Sequence, residues 1–237
     1  MQINISGISV EVEKKNIKNL HLYVKPPNGN VIVSAPFEMD NSAIEVFIRT
    51  KLGWIRKQIA KYKDQERFSE RQYVSGETIY IWGKQYYLIF RPSTKNNFFE
   101  IQGNKVILSM KAESTVEQRE KYVREQFRSI LKKEIEAFLP RWEQITNLKC
   151  ESWQIKYMTT RWGTCNPIKK KLWFNLQLVQ KPIECLEYVI LHELAHLEEK
   201  THGEGFIAIM NNYMPHWREV RKLLNEQTLD YYEPKEI

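Results

Sequence analysis

The chain has 237 residues, 42% of them hydrophobic and 12% aromatic, and carries a net charge of +7. Those proportions exclude a disordered polymer, and no run approaches the roughly eighteen uncharged apolar residues of a membrane helix. The opening run Met1–Lys15 alternates polar and apolar residues and lacks the basic-then-apolar layout of a signal peptide. Three scattered cysteines, Cys150, Cys165 and Cys185, imply no disulfide framework, so the expectation is a cytoplasmic protein without membrane contact. The positive charge suits either a solvated basic surface or an anionic partner such as nucleic acid, a nucleotide or an acidic peptide.

In chain order, Ile3, Ile5, Ile8, Val10 and Val12 nearly alternate and predict strand, as do Leu20–Val24 and Val31–Val33, with a turn at Pro26-Pro27-Asn28-Gly29. Asp40-Asn41-Ser42 offers a helix cap, and Ile44, Phe47, Ile48, Leu52, Ile55 and Ile59 follow at helical spacing. Residues 64–77 read as a polar loop. Further strands fall at Thr78–Trp82, Tyr86–Phe90, Phe98–Ile101 and Val106–Met110, with turns at Gly83-Lys84 and Gly103-Asn104. Ser114 and Glu117 have capping-box spacing before a long amphipathic helix running to Ile145, which Pro140 either kinks or ends. Its polar face carries Arg124, Arg128, Lys132 and Lys133.

Strands then fall at Trp153–Met158 and Leu172–Leu178, flanking Arg161-Trp162-Gly163-Thr164-Cys165 and the basic turn Lys169–Lys171. Pro182 suits the first position of a helix over 183–199, and shorter helices follow at 203–213 and 217–227. No internal repeat is evident. The predicted class is α+β: a β-rich region with one long helix over residues 1–112, then a compact domain over 113–237, with no flexible linker at the boundary.

Three of the five histidines fall inside the run His192-Glu193-Leu194-Ala195-His196-Leu197-Glu198-Glu199-Lys200-Thr201-His202. At about 100° per residue His192 and His196 share one helix face roughly 40° apart, so both imidazoles can meet one ion. Glu193 projects beside them, placed to address a water without ligating the metal. The helix is apolar along Leu186, Val189, Ile190, Leu194 and Leu197, and a buried neutral histidine is costly unless ligated or hydrogen-bonded. His202 would point roughly 120° away on a continuous helix, so the helix must break first. Thr201 and Glu204 have capping-box spacing for a new helix there, and Gly203 and Gly205 ease close backbone approach. The spacing to His202 equals that of metzincins, but Glu199 stands where they place glycine. A structural zinc with Cys165 as fourth ligand competes with an open, catalytic site.

Other residues carry two readings each. Arg161 either stabilises developing negative charge as a substrate or transition-state contact or stacks on aromatic rings in a packed turn. His216 suits a helix start, and His21 a structural place in a strand. The lysine turn at 169–171 is solvated or guides an anion, and Trp142, Trp153, Trp162 and Trp173 read as core or cleft wall.

With Tyr157–Cys165, Leu172-Trp173-Phe174-Asn175, Tyr188-Val189-Ile190-Leu191 ahead of the HELAH run, Phe206 and Pro215-His216-Trp217, the chain resembles the YgjP-like metal-dependent hydrolases, relatives of SprT-type and Wss-type zinc metallopeptidases. The N-terminal β region and the Trp54-Ile55 helix extend the likeness over nearly the whole chain. The resemblance implies one zinc ion (Zn2+) at His192, His196 and His202, Glu193 as catalytic base, and a compact zincin core of the minigluzincin kind in 113–237. Thr164 stands where serine is common.

Three functions remain open. One is a zinc hydrolase with peptidase chemistry, in which the strand Leu172–Leu178 pairs with an extended substrate. Another applies the same metal to a nucleoside triphosphate such as UTP, although no P-loop is present. The last is a nucleic-acid-associated protein in which the metal braces the fold and the basic helix 115–145 contacts phosphates.

Overall fold

A computed structural model describes residues 1–25, 29–63 and 71–226, with residues 61–63 and 226 given by backbone alone. The predicted turn at residues 26–29 and the loop at 64–77 lie partly outside the described residues. Two compact units divide between residues 63 and 71. The first holds β1 (Gln2–Ile5), β2 (Ile8–Lys15), β3 (His21–Lys25) and β4 (Asn30–Pro36), then α1 (Asn41–Thr50) and α2 (Leu52–Lys63). The sheet order is β1-β2-β4-β3, with β2 and β4 parallel and both outer pairs antiparallel. Strand alternation turns Ile5, Val10, Val12, Val31 and Val33 inward, where they meet Ile44, Ile48 and Ile55 of the helices. Asp40 caps α1 as expected, its carboxylate accepting from the Asn41 N–H. The helical spacing that ran unbroken from Ile44 to Ile59 is carried by two helices meeting at Lys51, where the backbone leaves helical ψ.

The second unit opens with β5 (Thr78–Ile81), β6 (Lys84–Pro92), β7 (Phe98–Gln102) and β8 (Lys105–Met110) in the order β5-β6-β8-β7. Its antiparallel, parallel, antiparallel pairing repeats that of the first sheet. The expectation of no internal repeat is therefore corrected. Ile3-Asn4-Ile5-Ser6-Gly7 matches Ile79-Tyr80-Ile81-Trp82-Gly83, and Val31-Ile32-Val33-Ser34 matches Val106-Ile107-Leu108-Ser109. The helix caps Asp40 and Thr115 each stand six residues after that serine. The signature is confined to these two short segments and the cap spacing, so the divergent residues between them hide it in a linear reading.

Both modules turn their first hairpin on two residues at positive φ, Ser6-Gly7 and Trp82-Gly83, the conformation that two-residue hairpins need. The second turn lies one residue earlier than expected. Its Trp82 and Gly83 N–H groups donate to the Val179 and Gln180 carbonyls, and a Cβ on Gly83 would sit 3.0 Å from Pro182 Cγ. The hairpin tip is thus keyed to the residues that launch the histidine-bearing helix.

α3 (Val116–Thr146) follows, capped by a Thr115–Gln118 box one residue beyond the expected Ser114–Glu117 pair. The Ser114 hydroxyl instead accepts from Arg119 Nε at 3.0 Å. Pro140 lies inside α3 without ending it, and the helix stops at Asn147, held at φ 57°. Val123, Phe127, Leu131, Ile135 and Leu139 of α3 share one core with Leu88, Val106 and Leu108 of the sheet and with Leu172, Phe174, Leu186, Val189 and Ile190. A boundary near residue 112 would cut that core in two. The strands over 78–110 belong with the C-terminal helices, and the unit boundary lies before them.

The third sheet comprises β9 (Ser152–Lys156), β10 (Gly163–Asn166) and β11 (Lys171–Asn175) in the order β10-β11-β9. The strand expected to run to Leu178 ends at Asn175, and Leu176–Gln180 forms a 3-10 turn. α4 (Ile183–Ala195), α5 (Glu204–Tyr213) and α6 (Trp217–Glu226) complete the described chain, with Pro182 just ahead of α4 and not inside it. No helix among the described residues is long and apolar enough to cross a membrane. The fold is α+β, as the sequence predicts.

Candidate metal centre

α4 buries nearly its whole circumference: Cys185, Leu186, Tyr188, Val189, Ile190, Leu191, Leu194 and Ala195 are all inside. Its last turn presents His192 and His196 with ring centroids 4.8 Å apart. The helix ends at Ala195, short of the expected 199, and bonds from the Leu197, Glu198 and Glu199 N–H groups to the Leu194 and Ala195 carbonyls close the turn. Glu199 keeps a negative φ, so this turn has no need of glycine there. α5 begins at Glu204 with Gly203 as its cap and no side-chain capping bond, so the expected Thr201–Glu204 box does not form. His202 lies in the link between the helices. The reversal brings its Nε2 to 3.1 Å from His192 Nε2, and one nitrogen from each of His192, His196 and His202 lies within 4.8 Å of the others. Phe206 of α5 packs against all three rings at 4.7–5.0 Å.

The other ring nitrogens are held from behind. His196 Nδ1 lies 2.8 Å from the Glu199 carbonyl, which can only accept, so the proton sits on Nδ1 and the Nε2 lone pair is free. His192 Nδ1 lies 3.3 Å from the Tyr188 hydroxyl. Burial, followed by the neighbouring His196 and His202, pushes His192 down to about 3, and burial also lowers His202. Imidazole nitrogens that converge in this way fit a divalent ion of the zinc type. Cys165 does not join the cluster, which among the described residues holds the three histidines alone. The structural-zinc reading therefore lacks its fourth ligand.

Glu193 is 4% exposed, and its Oε2 has no hydrogen-bond partner among the described residues. Burial pushes its carboxyl up to about 8 against the opposing pull of Arg161. A Cβ on Gly163 would stand 2.5 Å from Glu193 Oε1, so the β10 backbone lies directly against this carboxylate.

Arg161 is exposed on the loop entering β10, stacks on no ring among the described residues, and places its charge where Glu193 feels it. Trp162 instead faces the Lys181 ammonium at 5.6 Å. His216 heads α6, where its carbonyl accepts from Glu219, and His21 stacks on Tyr23; neither joins the cluster. Lys169 and Lys170 are exposed at the β10–β11 turn.

Three residues have supporting roles that the sequence reading did not assign. Asn175 is fully buried: its Nδ2 donates to the Met158 and Arg161 carbonyls at 2.8 and 2.7 Å, and its Oδ1 accepts from the Met158 and Gln177 N–H groups. Gln177 Nε2 also donates to Met158. These amides clamp the loop that carries Arg161. Their signal was two amide side chains inside the otherwise apolar run Leu172–Leu178. Tyr188 stood in the run Tyr188-Val189-Ile190-Leu191 that carries the family resemblance, with no role of its own assigned.

Converging imidazoles on an α+β frame, beside a buried carboxylate, define a protein of the metal-dependent hydrolase class. The model for the YgjP-like metallopeptidase domain matches residues 18–227, and the chain belongs to that family. Among solved structures it is similar to the metallopeptidase zymogen jannalysin of Methanocaldococcus jannaschii, at 26% identity over 39% of this chain and 94% of that one, with a TM-score of 0.35. The zymogen abylysin of Pyrococcus abyssi is similar at 19% identity over 40% of this chain and 96% of that one, with a TM-score of 0.36. No curated protein matches the chain.

Proposed function

We propose that the protein is a zinc-dependent metallopeptidase in which Glu193 acts as general base. The observation that carries this is the meeting of three imidazoles beside a buried carboxylate with one oxygen unpartnered among the described residues. His192, His196 and His202 would hold the ion through the nitrogens that face one another. When bound there, zinc supplies Lewis acidity, polarising a scissile carbonyl and easing the deprotonation of water. Glu193 takes the proton from the attacking water and passes it to the leaving amine, and its burial makes it the stronger base. Arg161, held by Asn175 through its own carbonyl, offers positive charge to the oxyanion as it forms.

Substrate pairing with Leu172–Leu178 needs correction. β11 is the central strand, bonded to β10 on one side and β9 on the other, so it has no open edge. β10 is the edge strand that touches Glu193, and we assign the extended peptide to it. Adjacent strand residues face opposite neighbours, so of Thr164→Pro and Cys165→Pro only one removes an outward amide. Peptide turnover should fall in that variant with zinc content unchanged; full turnover in both would sink the pairing.

Zinc in the purified protein, loss of casein hydrolysis in Glu193→Gln and retention of zinc by that variant would together support the assignment. Hydrolysis of nucleoside triphosphates with casein untouched would overturn it in favour of the phosphoanhydride reading. Support for a nucleic-acid role weakens at the helix that would carry it. Arg124 pairs with Glu120 and covers Tyr157, Arg128 donates to the Ile155 carbonyl, and Lys132 pairs with Glu136. The three cysteines are free thiols, which suits the reducing compartment expected from sequence.

A further inference from the structure

Which peptides such a centre accepts depends on the groups beside it, and one flank carries a single sign of charge. Trp217 of α6 stacks parallel to Tyr188 at 6.5 Å, and the Tyr188 ring lies 5.6 Å from that of His192. The indole is thus within roughly 12 Å of a metal-facing ring, the reach of three or four extended residues. Trp217, Arg218, Arg221, Lys222 and Asn225 line a cavity of about 370 Å³ along α6. Three of these side chains are cations and none is a carboxylate.

The arrangement is braced. Asn211 Oδ1 accepts from Trp217 Nε1 at 2.9 Å and from Arg218 at 2.8 Å, so one amide of α5 holds both indole and guanidinium. Arg218 lies 4.5 Å over the Trp217 ring and Arg221 lies 5.9 Å from it. Neither arginine pairs with a carboxylate among the described residues. Guanidiniums stacked on an indole lose little freedom on meeting a planar carboxylate, which they grip with two parallel bonds.

We propose that this wall of α6 is a substrate subsite for a carboxylate, borne by an acidic side chain or by the C-terminus of a peptide laid across the metal centre. The proposal rests on the metallopeptidase reading and names the substrate class of that site.

The test uses full-length, zinc-loaded Glu193→Gln protein, which binds without turnover, and four short peptides of one backbone sequence. One is neutral and amidated, one amidated with a single glutamate, one neutral with a free C-terminus, and one amidated with a lysine. At low salt at least one carboxylate peptide should bind about tenfold more tightly than the neutral one, and the lysine peptide more weakly. Which carboxylate peptide gains identifies the source of the group. Arg218→Ala and Arg221→Ala, both at exposed positions, should each cut that preference roughly threefold, and high salt should erase it. Equal binding of neutral and acidic peptides, or an undiminished preference in the double variant with zinc content and melting temperature intact, would overturn the proposal. So would tight binding of inorganic triphosphate with no preference among the peptides. Turnover by the unaltered enzyme reads the parent assignment separately. If it binds the acidic peptides but cleaves none of the set, the subsite stands and the peptidase assignment falls.

Discussion

At the residue scale, each metal-facing imidazole depends on what holds its other nitrogen. Tyr188→Phe removes the hydroxyl beside His192 Nδ1 but keeps the ring that stacks on Trp217. Zinc affinity, measured by competition with a chelator, should fall about tenfold or more with the fold intact. Gly163→Ala sets a methyl against Glu193 and should depress turnover while zinc stays bound. Asn175→Ala removes four hydrogen bonds made by a fully buried side chain, to the Met158 and Arg161 carbonyls and from the Met158 and Gln177 N–H groups, and should cost about 1–3 kcal/mol in denaturant unfolding, with kcat falling as the Arg161 loop loosens. Glu193 also has a pH signature. Its folded value near 8 lies above its ordinary 4.5, so between those values the folded metal-free protein holds a proton the unfolded chain has released. Stability of the metal-free protein should therefore drop with rising pH across that window relative to Glu193→Gln, as thermal melts would record.

At the element scale, α4 is both core and scaffold. Leu194, fully buried two residues from each α4 imidazole, should cost about 2–5 kcal/mol when truncated to alanine. Denaturant titration with and without zinc would separate lost packing from lost binding. The periodicity of this helix, its proline start and its paired histidines were legible because they are local and repeat at helical spacing. Its end was not. The reversal that returns His202 is made by backbone bonds over 197–199 and by Gly203 in the cap position, while the Thr201–Glu204 pair that looked like a cap stays unused. The strand at 172–175 was likewise predicted, but its place between β9 and β10 depends on pairings with residues that periodicity does not connect.

At the scale of the whole molecule, two modules share one sheet topology, and the histidine cluster belongs wholly to the second unit. Among the described residues, the core of that unit draws on none before Tyr73. A chain beginning at Arg71 should therefore fold and bind one zinc, as metal analysis and far-UV circular dichroism would show. A fragment unable to hold zinc would mean that the first module takes part in forming the site.

The sequence by itself determined the α+β class, most element positions, the spacing of His192 and His196 and the carboxylate between them, because these follow from short-range periodicity and side-chain chemistry. Only the tertiary structure decided that His202 closes the cluster, that Cys165 stays out of it, that β10 and not β11 offers an edge, and that residues 78–110 share a core with the helices. Those outcomes depend on contacts between residues distant along the chain. Such contacts are set by how buried surfaces fill space together, and a linear pattern does not encode that directly.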